Sequence, residues 1–294
     1  MKRTGFIAIV GRPNVGKSTL LNTMLGEKVA IVSSKPQTTR NRIIGIHTVG
    51  EDQYVFLDTP GIFRPKNTLG SFMVKTANSS MQDADAIILV TDTGKNITEV
   101  EKNVINYAKK TETPCVLALN KIDLYRREEI AETIVAYAAL HEFSAVVPIC
   151  AKNGKGVDAL LSECKPFLQE SDFFFPEDMV TDQSERQVAA EVIREKILRT
   201  LNKEIPHGVA VAIESFKDEG SLVSIRAEIF CEKASHKGII VGKGGEELKR
   251  VGSYARADLE AIFGTKVYLD LWVKVKENWR DSDFALSNFG YKEE

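Results

Sequence analysis

The segment GFIAIVGRPNVGKSTL, residues 5–20, runs an apolar stretch into a glycine-rich turn and then into helix-forming residues. Gly11 to Ser18 fits G-x-x-x-x-G-K-[ST], and a strand before it with a helix after it is the context that motif requires. Its glycines let backbone N–H groups curl around phosphate oxygens, and the positive end of the following helix adds to the attraction. The loop expected to surround the phosphates comprises Gly11, Arg12, Pro13, Asn14, Val15, Gly16, Lys17, Ser18 and Thr19. Lys17 is placed to reach the β- and γ-phosphates, and the Ser18 hydroxyl to ligate Mg²⁺.

Outward from this loop, four more short apolar runs recur: YVFL (54–57), AIILV (86–90), CVLAL (115–119) and AVVPI (145–149). Most do not alternate, as expected of strands buried on both faces of a parallel sheet. Helical patterns at Thr98–Lys110 and Arg127–His141 lie between them. The expectation is an α/β P-loop domain over residues 1–170, mostly parallel, with helices on both faces. At 171–183 the composition changes to the breaker-rich SDFFFPED, read as a linker whose three phenylalanines dock on a neighbouring surface. Residues 184–294 then read as helix, two strands, helix–GKGG–helix and strand. Val223, Ile225, Ala227 and Ile229 share one face of a strand, as do Val267, Leu269, Leu271, Val273 and Val275. That pattern describes a small α+β domain with a half-exposed sheet.

Composition agrees with two soluble domains: 294 residues, 43% hydrophobic and 27% charged. A net charge of -2 means that no global field draws the chain to nucleic acid, so any such binding needs a local patch. Cys115, Cys150, Cys164 and Cys231 form no CxxC pair, which argues against zinc or a disulfide framework and for a reduced, cytoplasmic setting. The N-terminal apolar run ends too soon for a signal peptide, and nothing approaches the roughly 20 apolar residues of a membrane span. The four histidines match no metal spacing.

NKID, Asn120 to Asp123, selects the base. A carboxylate at Asp123 accepts from both N1–H and the 2-amino group of guanine, whereas adenine offers no such pair; a buried carboxylate left unpaired is the basis for rejecting ATP. Lys121 lays its aliphatic stem across the base, and Asn120 holds neighbouring loops together. Cys150, Ala151 and Lys152 follow the last strand and support the guanine through backbone N–H. DTPG, Asp58, Thr59, Pro60 and Gly61, places Asp58 behind the Mg²⁺ and the Gly61 N–H on the γ-phosphate. Between these motifs, KPQTTRN offers a threonine that completes the Mg²⁺ shell only when γ-phosphate is present; Thr39 is the first choice and Thr38 the alternative. Lys17, Thr39 and Gly61 are thus the catalytic candidates, and Ser18, Thr39 and Asp58 the Mg²⁺ ligands. Two rivals remain: an RNA-binding scaffold with GTP or GDP as a structural ligand, and a metabolic P-loop kinase, against which NKID and CAK speak.

GRPNVGKS, KPQTTR, DTPGIFRPKNTLG, the FFFPED segment and the GKGG domain together resemble the bacterial Era family of GTPases over essentially the whole chain. The resemblance implies a GTP-driven assembly factor for the small (30S) ribosomal subunit, contacting its 16S rRNA through a C-terminal type II KH domain. It also implies at most peripheral contact with the cytoplasmic face of the membrane, and a monomer is expected. The order of the C-terminal elements suits that fold, and GKGG (Gly242, Lys243, Gly244, Gly245) is the loop that clamps about four nucleotides. Lys237 and Lys249 join it as RNA candidates, and from Lys233 to Arg256 six basic residues face two acidic ones. Tyr268 and Trp272 share the outer face of the last strand, placed to stack bases or, the preferred reading, to pack on the first helix of the domain. The residue after DTPG is Ile62, which cannot orient a water. In related GTPases of this kind a P-loop Asn helps hold K⁺ against the phosphates, which makes Asn14 a K⁺ candidate; the alternative is that it only pins the loop.

Overall fold

The computed structural model describes all residues except 95, 202–204 and 292–294. It divides into two compact units: Met1–Val32, Thr39–Pro65 and Gly70–Asp182 form the first; Ser33–Thr38, Lys66–Leu69 and Gln183–Glu294 form the second.

The first unit is built on strands β1 (Arg3–Val10), β2 (Ile43–Val49), β3 (Asp52–Asp58), β4 (Ala86–Asp92), β5 (Cys115–Asn120) and β6 (Ala145–Pro148), in the order β2-β3-β1-β4-β5-β6. The pairs β1·β3, β1·β4, β4·β5 and β5·β6 are parallel. β3 and β5 are buried at every residue, which explains why their sequences do not alternate. Helices α1 (Lys17–Leu25), α2 (Thr68–Gln82), α3 (Glu99–Thr111), α4 (Arg127–Ala138) and α5 (Val157–Cys164) connect them. One face of the sheet, with Ile7, Ile9, Phe56 and Ile88, packs with Leu20, Leu21 and Leu160; the other, with Ala8, Val10, Leu89 and Leu117, packs with Val104 and Ile105. Thr98 caps α3 with a reciprocal bond from its own N–H to Glu101.

Two strands escape the sequence reading. β2 runs antiparallel to β3, joined by a turn at Gly50 with φ +61°; its sequence, IIGIHTV, is broken by Gly45 and His47 and shows no clean period. The two-residue β7 (Gln169–Glu170) pairs antiparallel with β1.

The stretch that reads as a linker lies along the first unit as far as Asp182. Gln53, fully buried, accepts from the backbone N–H groups of Phe174 (3.0 Å) and Phe175 (3.1 Å) and donates to the Phe175 carbonyl (2.9 Å) and the Thr48 hydroxyl (3.1 Å). The Phe174 ring stacks on Phe6 at 5.2 Å, and the Lys2 ammonium sits 4.3 Å over the Phe173 ring. Farther on, Thr181 bridges Gly45 of β2, the Ile46 N–H donates to the Val180 carbonyl (2.8 Å), and the Thr181 hydroxyl donates to the Ile44 carbonyl (2.7 Å).

In the second unit, α6 (Glu185–Thr200) precedes β8 (Ala210–Asp218) and β9 (Leu222–Cys231), then α7 (Ala234–Val241), α8 (Glu246–Phe263), β10 (Lys266–Val275) and α9 (Asp283–Asn288). The sheet order is β10-β9-β8, with β9·β10 parallel and β8·β9 antiparallel. Val223, Ile225, Ala227, Ile229, Val267 and Val273 face Val192, Ile193 and Ile197 of α6 and Val251, Ala255 and Leu259 of α8. Helices α6 and α8 therefore cover one face of this sheet, while Phe289 at the end of α9 packs on Phe230 of the other.

Candidate nucleotide and RNA sites

The phosphate loop leaves β1 at Val10 and enters α1 at Lys17. Sterics make its glycines obligatory: a Cβ on Gly16, which has φ +102°, would lie 2.3 Å from Asn120 Nδ2. The helix has no side-chain cap and no acidic residue in its first turn, so its N–H groups and positive end are open to an anion. Lys17 is buried, with Nζ donating to the Gly11 (3.1 Å) and Arg12 (3.0 Å) carbonyls. Burial lowers its pKa to about 8, against the raising influence of Asp58.

Ser18, Thr39 and Asp58 meet beside it. The Ser18 hydroxyl donates to Asp58 Oδ2 (2.7 Å) and lies 2.8 Å from the Thr39 hydroxyl, itself 3.5 Å from Asp58 Oδ2. Thr38 is elsewhere, donating to the Lys35 carbonyl at 2.7 Å. Asp58 is fully buried and its Oδ1 has no hydrogen-bond partner among the described residues. Burial pushes its carboxyl up to about 6, countered by Lys17 and by the Ser18 and Thr39 hydroxyls. Two hydroxyls and a carboxylate with an unused oxygen are hard donors that fit Mg²⁺. A buried cation and a buried anion, each pushed toward neutrality, leave a site that a phosphate and a divalent ion would satisfy.

Gly61 presses against the loop: a Cβ there would come 2.7 Å from the Pro13 nitrogen. The Ile62 N–H donates to the Gly11 carbonyl (3.1 Å), and its side chain packs on the core. Thr59 donates to the Ile9 carbonyl at 2.9 Å, and Pro60 is buried. No hydrogen-bonding side chain stands at the position after DTPG.

On the base side, Asn120 spans two loops: Nδ2 donates to the Val15 carbonyl (2.8 Å) and Oδ1 accepts from the Ala151 N–H (2.9 Å). Lys121, at φ +64°, donates to the Asn14 carbonyl at 2.7 Å. Asp123 is exposed, which corrects the assumption of a buried carboxylate. The Cys150 thiol donates to Asp123 Oδ1 at 3.2 Å, a role beyond the backbone support expected of it. Lys152 is exposed.

In the second unit, Gly242–Gly245 links α7 to α8. A Cβ on Gly242 (φ +74°) would strike Glu247 Cγ at 2.6 Å, whereas one on Gly244 (φ +62°) would meet nothing within 4 Å. Gly245 leads into α8 without a side-chain cap. Lys237, Lys243 and Lys249 are all exposed. Beside the loop, Lys249, Ser253 and Arg256 of α8 and Tyr268 of β10 line a groove of about 450 Å³. Arg256 was not singled out as an RNA candidate, and Tyr268 was one only in the less favoured, base-stacking reading. The preferred packing of Tyr268 and Trp272 on the first helix is overturned: they are 62% and 59% exposed. Their strand neighbours Val267, Leu269, Leu271 and Val273 take the helix-covered face, and alternation turns the aromatics outward.

Sequence reasoning also missed the partners of Arg12, whose guanidinium turns away from the loop to Asp92 and Glu101. A carboxylate closing an apolar strand, as in AIILVTD, was the available signal, since ligands of open α/β sheets gather at strand C-terminal ends.

Comparison with known proteins adds to this geometry. The profile of the family described as 50S ribosome-binding GTPase matches residues 6–121, and that of the KH domain residues 204–280. The GTPase Era of Clostridioides difficile is 49% identical over 296 residues, all of both chains. That of Ruminiclostridium cellulolyticum is 47% identical over 291 residues, 99% of this chain and 98% of that protein. Among solved structures, Era of Aquifex aeolicus bound to GDP and tetrafluoroaluminate superposes with a TM-score of 0.95 at 39% identity, covering 99% of this chain and 100% of the other. Era in complex with MgGDPNP and nucleotides 1506–1542 of 16S ribosomal RNA superposes at 0.96 and 39%, covering 100% of both.

Proposed function

The chain belongs to the Era family of GTPases, and from that premise we propose that its GTP cycle governs binding of small-subunit 16S rRNA by the KH domain during 30S maturation. Residues 1–170 carry GTP hydrolysis, 184–294 bind RNA, and 171–183 join them. The observation that carries this reading is the pairing, in one chain, of two glycine loops that each lead into a helix with no side-chain cap. A solved relative holds a GTP analogue and 16S rRNA together.

In this reading Ser18, Thr39 and Asp58 hold Mg²⁺, which supplies positive charge at the β- and γ-phosphates when bound. Lys17 gives up its carbonyl partners for the phosphates, and the Gly61 N–H meets the γ-phosphate. Thr39 sits on a loop and reports whether γ-phosphate is present. Asp123 and Lys121 take the guanine, with the backbone of Cys150, Ala151 and Lys152 behind it. Ile62 cannot orient the attacking water; Asn14 would help hold K⁺, which would supply the positive charge that an arginine finger gives elsewhere. Lys237, Gly242, Lys243, Gly244, Gly245 and Lys249 clamp the RNA backbone. The protein acts in the cytoplasm as a monomer. No helix among the described residues is long and apolar enough to cross a membrane, and any membrane contact in this reading is peripheral.

GTP hydrolysis measured in KCl and in NaCl at equal ionic strength tests the catalytic part: faster turnover in KCl, largely erased in Asn14→Ala, is expected. Equal rates in the two salts would remove the K⁺ role and leave Asn14 as a loop pin. Crosslinking from Lys243 followed by RNA sequencing tests the partner, with 16S rRNA as the expected product; crosslinks spread evenly over cellular RNA would overturn it.

A further inference from the structure

The Arg12 guanidinium lies behind the phosphate loop, with Nη2 donating to Asp92 Oδ1 at 2.7 Å and Nε donating to Glu101 Oε1. Glu101 is fully buried, and its other oxygen accepts the Thr98 N–H at 3.0 Å. Asp92 closes β4 directly beside Asn120, its register partner on β5. Its second oxygen, Oδ2, lies 3.8 Å from Nζ of Lys121. Lys121 in turn donates to the carbonyl of Asn14, two residues beyond Arg12. The path Arg12, Asp92, Lys121, Asn14 therefore closes on the phosphate loop, anchored from behind by Glu101 and the α3 cap.

We propose that Asp92 is a positioning residue for guanine recognition, held by Arg12 and holding Lys121 so that the stem of that lysine is set across the base before a nucleotide arrives. The inference rests on the reading that Lys121 and Asp123 take the guanine. A lysine has four rotatable side-chain bonds, and fixing them during folding removes that entropy loss from binding. Two cations and two carboxylates are interleaved in the network, so removing the shared carboxylate leaves Arg12 and Lys121 repelling each other with only Glu101 to compensate. Arg12 suits the bridging position because its planar fork addresses two carboxylates at once, which a lysine ammonium does not do in the same geometry. Asp92 and Glu101 touch no reacting group. They act through Arg12 and Lys121.

Kd values for GTP, GDP and ITP on the full chain test this, since inosine lacks the 2-amino group that Asp123 reads. In Asp92→Asn, the Kd for GTP and for GDP should rise together by about tenfold, and the preference for GTP over ITP should shrink, because a tilted base wastes the 2-amino contact. Arg12→Lys should shift both quantities in the same direction but less, and it serves as the reporter if Asp92→Asn does not fold. An unchanged GTP/ITP ratio in both variants, whatever happens to the melting temperature, would overturn the proposal and leave the network a structural staple. Asp123→Asn separates the two levels. A switch toward xanthosine triphosphate upholds the guanine reading even if the Asp92 proposal falls; no switch removes both.

Discussion

The two glycine loops, Gly11–Ser18 in the first unit and Gly242–Gly245 in the second, use the same physical device with different supports. In the first, backbone and side chains crowd both glycines: Gly11 and Gly16 would each place a Cβ within 2.3 Å of a neighbouring atom. The ammonium and carboxylate that serve the site are buried, and α1 starts with no acid in its first turn. In the second, only Gly242 is crowded, while Gly244 and Gly245 face open space. The lysines are exposed, and α8 begins with Glu246 and Glu247, which oppose an anion at its N-terminus. A small ligand of fixed shape suits a rigid cradle with desolvated charges. A flexible polyanion suits an open loop whose attraction is tempered, so that contact with any passing RNA stays weak.

This contrast is open to attack, and the largest effect is expected from Gly11→Ala. Its Cβ would lie 2.2 Å from the Val90 carbonyl oxygen, so nucleotide binding should be lost and stability should fall by about 3 kcal/mol, read by calorimetry. Gly244→Ala should cost only about 1 kcal/mol, from left-handed strain. Equal losses would erase the distinction. Next, Gly244→Asp puts a negative charge where phosphate passes. RNA affinity should fall by about a hundredfold, with GTP hydrolysis unchanged, since charge-assisted contacts to phosphate are among the strongest lost.

A change of pH should separate the two sites further. The Asp58 carboxyl is raised to about 6 by burial, above the roughly 3.9 of an unfolded chain. As pH falls through 6 the folded chain takes up a proton there, so this group adds most to folding stability below about pH 4 and loses that contribution as pH rises to 6. Mg²⁺ needs the carboxylate. Its affinity in the presence of GDP should therefore drop about fivefold between pH 6 and pH 5, beyond the drop retained by Asp58→Asn. RNA affinity, resting on exposed lysines, should stay flat. The smallest effect is expected of Glu246→Gln, which relieves an acid at the α8 N-terminus and should tighten RNA two- to fivefold, in line with the roughly 0.3–1 kcal/mol of such helix-end charges. No gain in a salt-matched titration would show that the acids do not temper the loop.

What the sequence makes legible is contiguous. GRPNVGKS, DTPG and NKID each carry their chemistry within a few residues, and the alternation in β9 and β10 shows which side chains share a face. The link between Arg12 and Asp92 crosses 80 residues, and that between Gln53 and Phe174 crosses 121, with no period or motif to announce either. Pairing of Tyr268 with Trp272 was visible, but not that the helices lie on the opposite face; that depends on how α6 and α8 pack. The exposure of Asp123 was likewise misjudged, because the chain leaves the buried strand β5 at Asn120 and carries Asp123 on a short 3-10 turn beyond it.

The grip of Val180 and Thr181 on β2 bears on how the first unit behaves when isolated. β2 is an edge strand, and these two residues occupy the Ile44 carbonyl and the Ile46 N–H that would otherwise point outward. A recombinant fragment cut at residue 170 would keep every residue proposed to contact the nucleotide yet bare the edge of IIGIHTV, a template for strand addition by a second copy. Such a fragment should scatter light increasingly with concentration and on storage, whereas one ending at residue 182 should stay clear.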